Sequence, residues 1–356
     1  MQKESACAKV PKIEGAKTII LANKLKIVNH DLEIQSDEKF VYIPLTGQPS
    51  EHVLETLKQQ VMRLEVTSRV FPERRKREKS VLELLQDELP PHSLASLPHA
   101  VDVVGDIAIV EIPPELEANK DLIGEAILRV YQNVHTVLAK AGPISGTYRL
   151  REFNVIAGEA KTETIHREYG CQYYVDVAKA YFSPRLSYEH KRVASLVKEG
   201  ETLVDFFTGV GPFAIQIAKT HQDVKVYAVD LNPYAVEYLK KNVRLNKVIT
   251  KVHPILGDTR QIVKEKLSSV ADRVIMNLPE RAIEFVDAAC TAVKPEGGVI
   301  HFYRFVKGYS SMGEVEQEFT EVVERLGRRV EKILFSRFVR ETAPHEWQAV
   351  LDAKIH

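Results

Sequence analysis

Two glycines followed at a distance by an aspartate form the pattern in this chain that most clearly suggests chemistry. The apolar residues Leu203 and Val204, followed by Asp205, lead into Gly209 and Gly211, and a second apolar run, residues 226–229, ends at Asp230. A strand, a Gly-x-Gly turn, a helix and a second strand that ends in an acid about twenty residues later is the layout of a nucleotide-binding βαβ unit. The glycines let a ligand approach the backbone, and the acid can accept hydrogen bonds from a ribose diol.

The residues around the glycines indicate which nucleotide the loop suits. The third glycine of the dinucleotide pattern is missing, Pro212 opens the helix, and Asp205 precedes the turn. A carboxylate at that place would repel a pyrophosphate but attract an ammonium or a sulfonium group. S-adenosylmethionine therefore fits better than NAD. Taken alone, a Gly-x-Gly is equally consistent with a tight turn that binds nothing.

Polar residues also follow two further apolar runs. Asp258 comes after the third run and could accept from an adenine amine, and Asn277 comes after the fourth. Ligands of open α/β sheets bind at the carboxyl ends of the parallel strands. We therefore expect Asp258 and Asn277 to lie beside Gly209 and Asp230 at one edge of a sheet.

Composition limits the class of protein. The chain has 356 residues, which predicts two or three domains, and its 49 Lys and Arg residues balance 49 Asp and Glu residues. Any nucleic acid must therefore be held by local basic patches rather than by the overall field. Cys7, Cys171 and Cys290 are far apart and lack CxxC spacing, which predicts a reducing compartment and no structural zinc. We identify no other metal-ligand spacing, so no metal is expected.

The chain also lacks the signals of a membrane or secreted protein. No apolar run approaches the roughly 20 residues that span a bilayer. Residues 1–5 do not resemble a signal peptide. We expect a cytoplasmic protein without a membrane partner.

Three predicted domains divide the chain, and the first, residues 1–70, is a small α/β module. Its pattern predicts a helix at 15–24, strands at 33–35 and 40–44, and a helix from Ser50. This module is too short to hold the sheet with the glycine loop.

The second predicted domain comprises residues 71–186. It begins with the basic run 74–77, which suits either a solvated linker or a phosphate-binding patch. Its patterns predict a hairpin at 101–113, a helix at 120–139 and strands at 148–156, 166–170 and 173–177. Arg and Tyr alternate with apolar residues on these strands, which fits a solvated sheet face and equally one that contacts RNA.

The third predicted domain, residues 187–356, carries the glycine loop. Beyond the four strands above, its patterns predict helices at 282–292 and 312–327 and strands at 298–303, 330–338 and 346–354. The connection between the last two strands is short and contains Pro344, which predicts an antiparallel hairpin. Five parallel strands closed by such a hairpin form the seven-stranded sheet of class I, Rossmann-like methyltransferases. The predicted fold class is α/β, with two smaller α+β RNA-binding domains before this sheet.

Several motifs resemble one known family. The element at 180–186 with its following Glu189, the loop at 205–213, Asp-Leu-Asn-Pro at 230–233 and Asn-Leu-Pro at 277–279 look like the archaeal and eukaryotic tRNA guanine-N1 methyltransferases. That family methylates the guanine at tRNA position 37, just 3′ of the anticodon. Residues 7–11 and 40–44 resemble its first domain, which inspects the folded corner of the tRNA, so the likeness covers nearly the whole chain.

The resemblance implies roles for residues in the methyl-accepting part of the site. Guanine N1 carries a proton at neutral pH, so its methylation needs a base and a partner for the charge that develops on O6. Glu189 matches the family's general base and Arg149 its O6 partner, although Arg151 would project from the same face of a strand. Tyr181 and Asn277 would orient the base, with Pro279 in the pocket floor. Without the resemblance, Glu189 reads as a carboxylate at a helix N-terminus.

The resemblance also implies residues that hold S-adenosylmethionine. Phe207 would lie near its methionine or adenosine part, Leu231 against the adenine, and Asp258 on the adenine amine. His190 would lie beside the pocket, whereas its Lys- and Arg-rich surroundings suit a solvated histidine. Gly209, Asp230 and Asn277 complete the predicted cofactor residues.

The predicted function is transfer of a methyl group from S-adenosylmethionine to N1 of guanine 37 in tRNA, by a monomer that binds no DNA. The resemblance is to the archaeal branch that methylates guanine only. A sister branch that also methylates a wyosine precursor departs from Asn-Leu-Pro. Two alternatives from other classes are an RNA-binding protein with an inactive methyltransferase domain and a small-molecule methyltransferase. The first conflicts with intact Glu189 and Asp230, and the second gives the first two domains no task.

Overall fold

The computed structural model describes residues 2–73, 80–143, 145–308 and 310–356. The chain forms two compact units, Met1–Lys79 and Ser80–His356. The basic run 74–77, predicted as a linker or a phosphate-binding patch, lies outside the described residues. The predicted boundary at residue 186 falls inside the second unit and remains a prediction.

The first unit is a four-stranded antiparallel sheet with two helices. Its elements are β1 (Gln2–Pro11), α1 (Lys12–Lys24), β2 (Gln35–Ser36), β3 (Phe40–Pro44), α2 (Glu51–Gln60) and β4 (Glu65–Pro72). The strand order is β2-β3-β1-β4. Its buried core between sheet and helices includes Ala8, Ala22, Ile43 and Leu57. The predicted helices and the strand at 40–44 are confirmed, while the strand predicted at 33–35 begins only at Gln35.

The second unit opens with a small sheet and a separate hairpin. Its first elements are α3 (Val81–Leu85), α4 (Pro91–Ala95), β5 (Val101–Val104), β6 (Ile107–Val110), α5 (Lys120–Val130), β7 (Thr136–Lys140), β8 (Phe153–Gly158), β9 (Glu163–Glu168) and β10 (Cys171–Asp176). The sheet order is β5-β6-β7-β8, in which β6 and β7 are parallel. β9 and β10 pair with each other antiparallel. The predicted hairpin at 101–113 is confirmed as β5 and β6.

Two predictions in this region were wrong. The helix predicted at 120–139 ends at Val130, and its second half is the buried strand β7. Apolar spacing cannot distinguish a short buried strand from a helix, and the β-branched Thr136 and Val137 favour the strand. The strand predicted at 148–156 begins at Phe153, because Arg149 lies in a turn with a φ of +56°.

The remaining elements build the large sheet. They are α6 (Ser187–Leu196), β11 (Thr202–Asp205), α7 (Pro212–Thr220), β12 (Lys225–Asp230), α8 (Pro233–Leu245), β13 (Val252–Leu256), α9 (Thr259–Ile262), β14 (Arg273–Met276), α10 (Val286–Ala292), β15 (Gly298–Lys307), α11 (Met312–Arg325), β16 (Val330–Ala343) and β17 (Glu346–Ile355). The order is β13-β12-β11-β14-β15-β17-β16. The first five strands are parallel, and β17 is antiparallel to both neighbours. The predicted seven-stranded methyltransferase sheet with its terminal hairpin is confirmed.

The strands of this sheet are buried on both faces, as expected for parallel strands between helices. Val204 and Phe302 pack on the face that α10 and α11 cover. Leu203 and Tyr303 pack on the other face, beneath α6 and α7. The strand order reverses between β11 and β14, so their carboxyl ends and that of β12 border one crevice. Open α/β sheets bind their ligands at such a reversal.

Three further features concern the predictions from composition. Cys7, Cys171 and Cys290 are free and buried. Among the described residues, no cluster of His, Cys, Asp or Glu has the arrangement of a metal site. In the same part of the chain, no helix combines the length and the apolar character needed to cross a membrane.

Candidate active site

The loop between β11 and α7 has the conformation that its two glycines permit. Gly211 has a φ of +94°, and a Cβ atom there would lie 2.3 Å from the side chain of Leu239, so only glycine fits. Gly209 has a φ of +56°, and the nearest heavy atom to a Cβ placed on it is the Tyr181 carbonyl oxygen at 3.5 Å. The space above Gly209 therefore stays open for a ligand.

Asp230 at the end of β12 is tied to this loop. Its carboxylate accepts from the backbone N–H of Gly209 at 2.6 Å and from that of Asn232 at 2.8 Å. Burial raises the pKa of Asp230, and the bonds from these N–H groups oppose the shift. The remaining lone pairs of this half-buried carboxylate are available to a diol.

A cavity of about 310 Å³ lies at the carboxyl ends of β11, β12 and β14. Nine predicted site residues line it: Arg149, Tyr181, His190, Phe207, Gly209, Asp230, Leu231, Asp258 and Asn277. Glu189 and Pro279 do not line it. A wider groove of about 860 Å³ beside Gly105 and Lys161 contains none of the predicted residues. The smaller cavity is therefore the candidate active site.

One end of the cavity has the surfaces that an adenosine would need. Leu231 is 42% exposed at its wall, and Phe207 packs edge-on against Phe285 with ring centroids 4.9 Å apart. Asp258 caps α9 by accepting from the backbone N–H groups of Arg260 and Gln261 through Oδ1. The other oxygen of Asp258 has no partner among the described residues and can accept from a ligand.

Asp205, at the end of β11, does not line the cavity, but it lies three residues before Thr208, which does. It is fully buried, and neither carboxylate oxygen has a hydrogen bond of normal geometry within the described part of the chain. Burial raises the pKa of Asp205 to about 7, the neighbouring charge of Asp230 adds to the shift, and the nearby Thr208 hydroxyl and Phe207 backbone N–H oppose it. The buried hydroxyl of Thr208 likewise has no such partner. Two adjacent acids and an open hydroxyl fit a ligand with an ammonium group, so this chain's residues fit S-adenosylmethionine.

Arg149 reaches the same cavity from its turn. Its guanidinium donates to Glu280 at 2.9 Å and lies 5.3 Å from the ring centroid of Tyr181. Its Nε is buried and has no partner among the described residues. Arg151 instead donates to the Gly142 carbonyl at 2.8 Å and does not line the cavity. This placement favours Arg149 over Arg151 as the residue that contacts a substrate.

His190 is buried, not solvated. Its Nδ1 is 2.7 Å from Glu168, and its ring packs edge-on against Phe213. His166 lies on the other side of Glu168 at 3.7 Å. Burial opposes ionisation of Glu168, but the hydrogen bonds and charges of the two histidines outweigh it and lower its pKa to about 2. The contacts with Glu168 and Phe213 hold the His190 ring at the cavity wall.

Glu189 lies in the first turn of α6, where three side chains bind its carboxylate. Arg192 donates to one oxygen at 2.9 Å, and the Tyr303 hydroxyl donates to the same oxygen at 2.9 Å. Arg337 donates to the other oxygen at 2.5 Å. Glu189 is 1% exposed, whereas the Arg337 side chain is 36% exposed. Arg337 is thus the partner nearest to solvent.

A line of buried charges continues from Glu189 beneath α6. Arg192 donates to Asp352 at 2.6 Å, Asp352 contacts His301 Nδ1 at 2.7 Å, and His301 Nε2 contacts Arg273 at 3.1 Å. Burial opposes ionisation of Asp352, but His301 and Arg192 lower its pKa to about 2. Burial lowers the pKa of His301, with the charges of Arg273 and Arg192 adding to the shift and the Asp352 carboxylate opposing it. These residues form an ionic layer between α6 and the sheet.

Asn277 and Pro279 occupy the end of β14. Asn277 is half-buried, and its Oδ1 accepts from Gln348 Nε2 at 3.2 Å. Pro279 is buried, and its carbonyl accepts from the backbone N–H of Phe305 at 3.0 Å. Pro279 therefore anchors the strand end to β15, while Asn277 faces the cavity.

Several residues of this site were missed from the sequence. Arg192 lies three residues after Glu189 on one helix, a spacing that could have indicated the ion pair. Glu280 directly follows Asn-Leu-Pro and could have been considered with it. Tyr303, Arg337 and Gln348 come from the last three strands, and no local pattern marks them.

The comparisons with known proteins agree with this geometry. Residues 164–332 match the TRM5/TYW2 methyltransferase domain, residues 81–162 the TYW2 N-terminal domain and residues 7–53 the tRNA methyltransferase 5 N-terminal domain. The tRNA (guanine(37)-N(1))-methyltransferase Trm5b of Pyrococcus abyssi is 39% identical over 347 residues, which cover 98% of each chain. Its crystal structure aligns over 99% of each chain with a TM-score of 0.74 and 37% identity.

Other relatives cover the chain to different extents. A complex of aTrm5 with tRNALeu has 34% identity and a TM-score of 0.70, over 98% of this chain and 99% of that one. Methanocaldococcus jannaschii Trm5 in complex with adenosine has 33% identity and a TM-score of 0.64, over 98% and 99%. The tRNA 4-demethylwyosine(37)-methyltransferase Taw21 of Saccharolobus solfataricus is 38% identical over 257 residues, 71% of this chain and 93% of Taw21.

These matches and the cavity at the strand ends lead to the same assignment, which confirms the resemblance found in the sequence. Identity above 30% extends over nearly the whole chain and includes both compact units. The chain belongs to the TRM5/TYW2 family of methyltransferases.

Proposed function

We propose that this protein transfers a methyl group from S-adenosylmethionine to N1 of the guanine at position 37 of tRNA. The observation that carries the proposal is the meeting of two motifs at one cavity. Asp230, bonded to Gly209, lies at one end, and Asn277 and Arg149 lie at the other. A cofactor and a base can therefore meet between them. The relatives that cover nearly the whole chain bear this activity in their names.

The cofactor part of the site provides groups for several parts of S-adenosylmethionine. Asp230 would accept from the ribose diol, Asp258 from the adenine amine, and Leu231 and Phe207 would contact the adenosine. Asp205, which lies behind the cavity wall, would attract the ammonium group, because no protein cation neutralises it within the described residues. When bound, S-adenosylmethionine supplies a methyl group on a sulfonium. The sulfur leaves as a neutral thioether, so the leaving group needs no further activation.

The substrate part of the site depends on Arg149, Tyr181 and Glu189. Arg149 would stabilise the charge that builds on O6, and Glu280 and Tyr181 hold its guanidinium in place. Glu189 would take the N1 proton. Both of its oxygens are engaged in the present arrangement, so one contact must open first. Arg337 is the partner that can leave at the lowest cost, because its side chain is already partly in solvent.

One experiment tests the proposed reaction directly. The protein is incubated with methyl-labelled S-adenosylmethionine and with tRNA transcripts that differ only in guanine or adenine at position 37. Label should enter the guanine transcript alone, and mass spectrometry of nucleosides should identify N1-methylguanosine. Label in neither transcript, or in another position, would refute the proposal.

A second activity within the same family is the methylation of a wyosine precursor. Taw21 is 38% identical to this chain but aligns with only 71% of it, whereas the Trm5b relative aligns with 98%. The fuller coverage favours guanine as the substrate. A tRNA that bears 4-demethylwyosine at position 37 should therefore remain unmodified, as measured by mass spectrometry.

The first compact unit is proposed to contact tRNA away from position 37. A protein that begins at Ser80 should bind S-adenosylmethionine normally, because all cavity residues lie in the second unit. It should lose its preference for full-length tRNA over an anticodon stem-loop. The log-log salt dependence of binding should flatten by about 0.7–0.9 for each phosphate group that the first unit neutralises. An unchanged preference would assign the first unit to stability alone. We further propose a monomer that acts in the cytoplasm.

A further inference from the structure

Three side chains form a directed chain of hydrogen bonds that ends at Asn277 in the cavity wall. Arg340 on β16 donates from Nε to Gln348 Oε1 at 2.9 Å. Gln348 on β17 donates from Nε2 to Asn277 Oδ1 at 3.2 Å. Gln348 is 1% exposed, and Arg340 is its direct partner in the β16–β17 register. The chain therefore leads from the edge strand of the sheet to the cavity.

The chemistry of arginine fixes the direction of this chain. A guanidinium has only donors, so Gln348 must turn its oxygen toward Arg340. The Gln348 amide nitrogen then faces Asn277, which must accept the hydrogen bond with its side-chain oxygen. The orientation of an amide is otherwise ambiguous, because its oxygen and nitrogen have nearly the same size. Here Arg340 removes that ambiguity at both amides.

The consequence for the cavity is that Asn277 presents its NH₂ group. Its oxygen is occupied by Gln348, and no described residue accepts from Asn277 Nδ2. Asn277 lines the cavity together with Arg149, whose guanidinium has only donors. Both side chains therefore offer hydrogen-bond donors to a substrate in the cavity.

A donor at this place distinguishes the two purines. Guanine carries the acceptor O6 on the ring carbon next to N1, whereas adenine carries an amine there. A donor from Asn277 can bond to O6, but it would oppose the adenine amine and leave two buried donors unpaired. A site that bonds a specific group rejects an analogue that cannot make the bond by several orders of magnitude.

We propose that Gln348, held by Arg340, is a specificity-determining positioning residue that fixes Asn277 as a hydrogen-bond donor to O6 of the target guanine. Gln348 itself does not touch the substrate. It acts by preventing the Asn277 amide from turning. The inference rests on the proposed function, since it assigns an atom of guanine to Asn277.

The test combines a variant with a change of the substrate atom. Gln348→Glu keeps the shape and can still accept from Arg340, but a carboxylate cannot donate to Asn277. The Asn277 amide should then turn and offer its oxygen to O6. We expect kcat/KM on guanine-37 tRNA to fall on the order of 10–100-fold, the effect of an unpaired polar group. Affinity for S-adenosylmethionine should change less than twofold.

The decisive readout uses tRNA with 6-thioguanosine at position 37, because sulfur is a weak acceptor. The wild-type protein should lose activity when oxygen is replaced by sulfur, and Gln348→Glu should lose several-fold less. The effect of sulfur on N1 acidity and on Arg149 is the same for both proteins and cancels in this ratio. An equal sulfur penalty in both proteins, or wild-type activity of Gln348→Glu on guanine, would overturn the inference.

Two further variants protect this test. Gln317→Glu adds the same charge on the exposed side of α11 and should behave as wild type. Arg340→Met frees Gln348 to turn and should show a smaller loss and an intermediate sulfur penalty, which keeps the test readable if Gln348→Glu folds poorly. Arg340→Met with the full wild-type sulfur penalty would also overturn the inference. Failure of the wild-type protein to methylate N1 of guanine would instead refute the proposed function.

Discussion

Asp205 and Glu189 are both fully buried carboxylates of the same compact unit, and their surroundings are opposite. Asp205 has no hydrogen bond of normal geometry from the described residues, and its pKa is raised to about 7 by burial. Glu189 accepts from two arginines and a tyrosine. The acid of the cofactor loop thus lacks a cation, whereas the acid assigned to proton transfer already has two.

This difference separates two ways of preparing a site. A buried acid without a partner costs stability until a cationic ligand arrives, so its energy becomes available for binding. A buried acid with protein partners is stable without a ligand, and removal of one partner leaves a charge uncompensated. The cofactor side of the cavity is therefore open to a ligand, and the proton-accepting side must be released by a movement.

The largest expected effect concerns Glu189, the buried acid assigned to proton transfer. Glu189→Gln cannot take a proton at neutral pH, so single-turnover methylation of tRNA should fall on the order of 10²–10⁴-fold. Affinity for S-adenosylmethionine should stay within about twofold, because Glu189 does not line the cavity. Glu125→Gln, on the exposed side of α5, is the matched control. A near-normal rate for Glu189→Gln would leave its carboxylate a purely structural ion pair.

The raised pKa of Asp205 predicts that the free energy of unfolding falls as pH rises. Its folded pKa of about 7 lies above the ordinary value of 3.8, so the folded state holds the proton more tightly than the unfolded state does. That stability is present below pH 4 and is lost as pH rises through 7. Asp205→Asn has no proton to lose, so its free energy of unfolding relative to wild type should increase by about 2–3 kcal/mol from pH 5 to pH 8. Urea unfolding without cofactor measures this, and a pH-independent difference would contradict it.

Asp230 tests whether the cofactor side depends on the ribose diol. Asp230→Ala should weaken S-adenosylmethionine binding by about 1.5–3 kcal/mol, the scale of a charged hydrogen bond. Affinity for tRNA should be preserved. Asp223→Ala, in the exposed turn before β12, serves as the control. Equal cofactor affinity of wild type and Asp230→Ala in titration calorimetry would show that another group holds the diol.

The smallest expected effect concerns the ionic layer that supports Glu189. The pKa of Asp352 is lowered from 3.8 to about 2, so its contribution to stability is present above pH 4 and is lost as pH falls toward 2. Asp352→Asn should therefore cost about 2 kcal/mol at pH 7 and progressively less in acid. Unfolding measurements at pH 7, 4 and 3 check this, and a constant difference would show that Asp352 is not charged in the folded protein.

The strand ends were the part of the site most accessible from sequence. Gly209, Asp230, Asp258 and Asn277 each end or follow an apolar run, and parallel strands bring such ends to one edge. At these strand ends, the residue pattern along the sequence and the topology of the sheet predict the same site. The same reasoning was wrong for residues 131–139, because a short buried strand has the apolar spacing of a helix.

The partners of the predicted residues were much less accessible. Arg337 lies 148 residues from Glu189 and Gln348 lies 71 residues from Asn277. Their contacts depend on the register of β16 and β17, which side-chain pattern alone does not fix. Arg149 was placed on a strand, but its positive φ is a property of the turn and not of the residue type. The residues that line the cavity could be predicted from the sequence, and the partner side chains that hold the site residues in place could not.

The position of β17 has a consequence for the synthesis of the protein. This strand comes last along the described chain, yet it lies between β15 and β16 and carries both Gln348 and Asp352. Until it emerges from the ribosome, β15 presents an unpaired edge of ten residues, and Arg192 lacks its second buried carboxylate, Asp352. Such edges promote aggregation of incompletely folded chains. We therefore expect the nascent polypeptide to need protection by chaperones until β17 has been added.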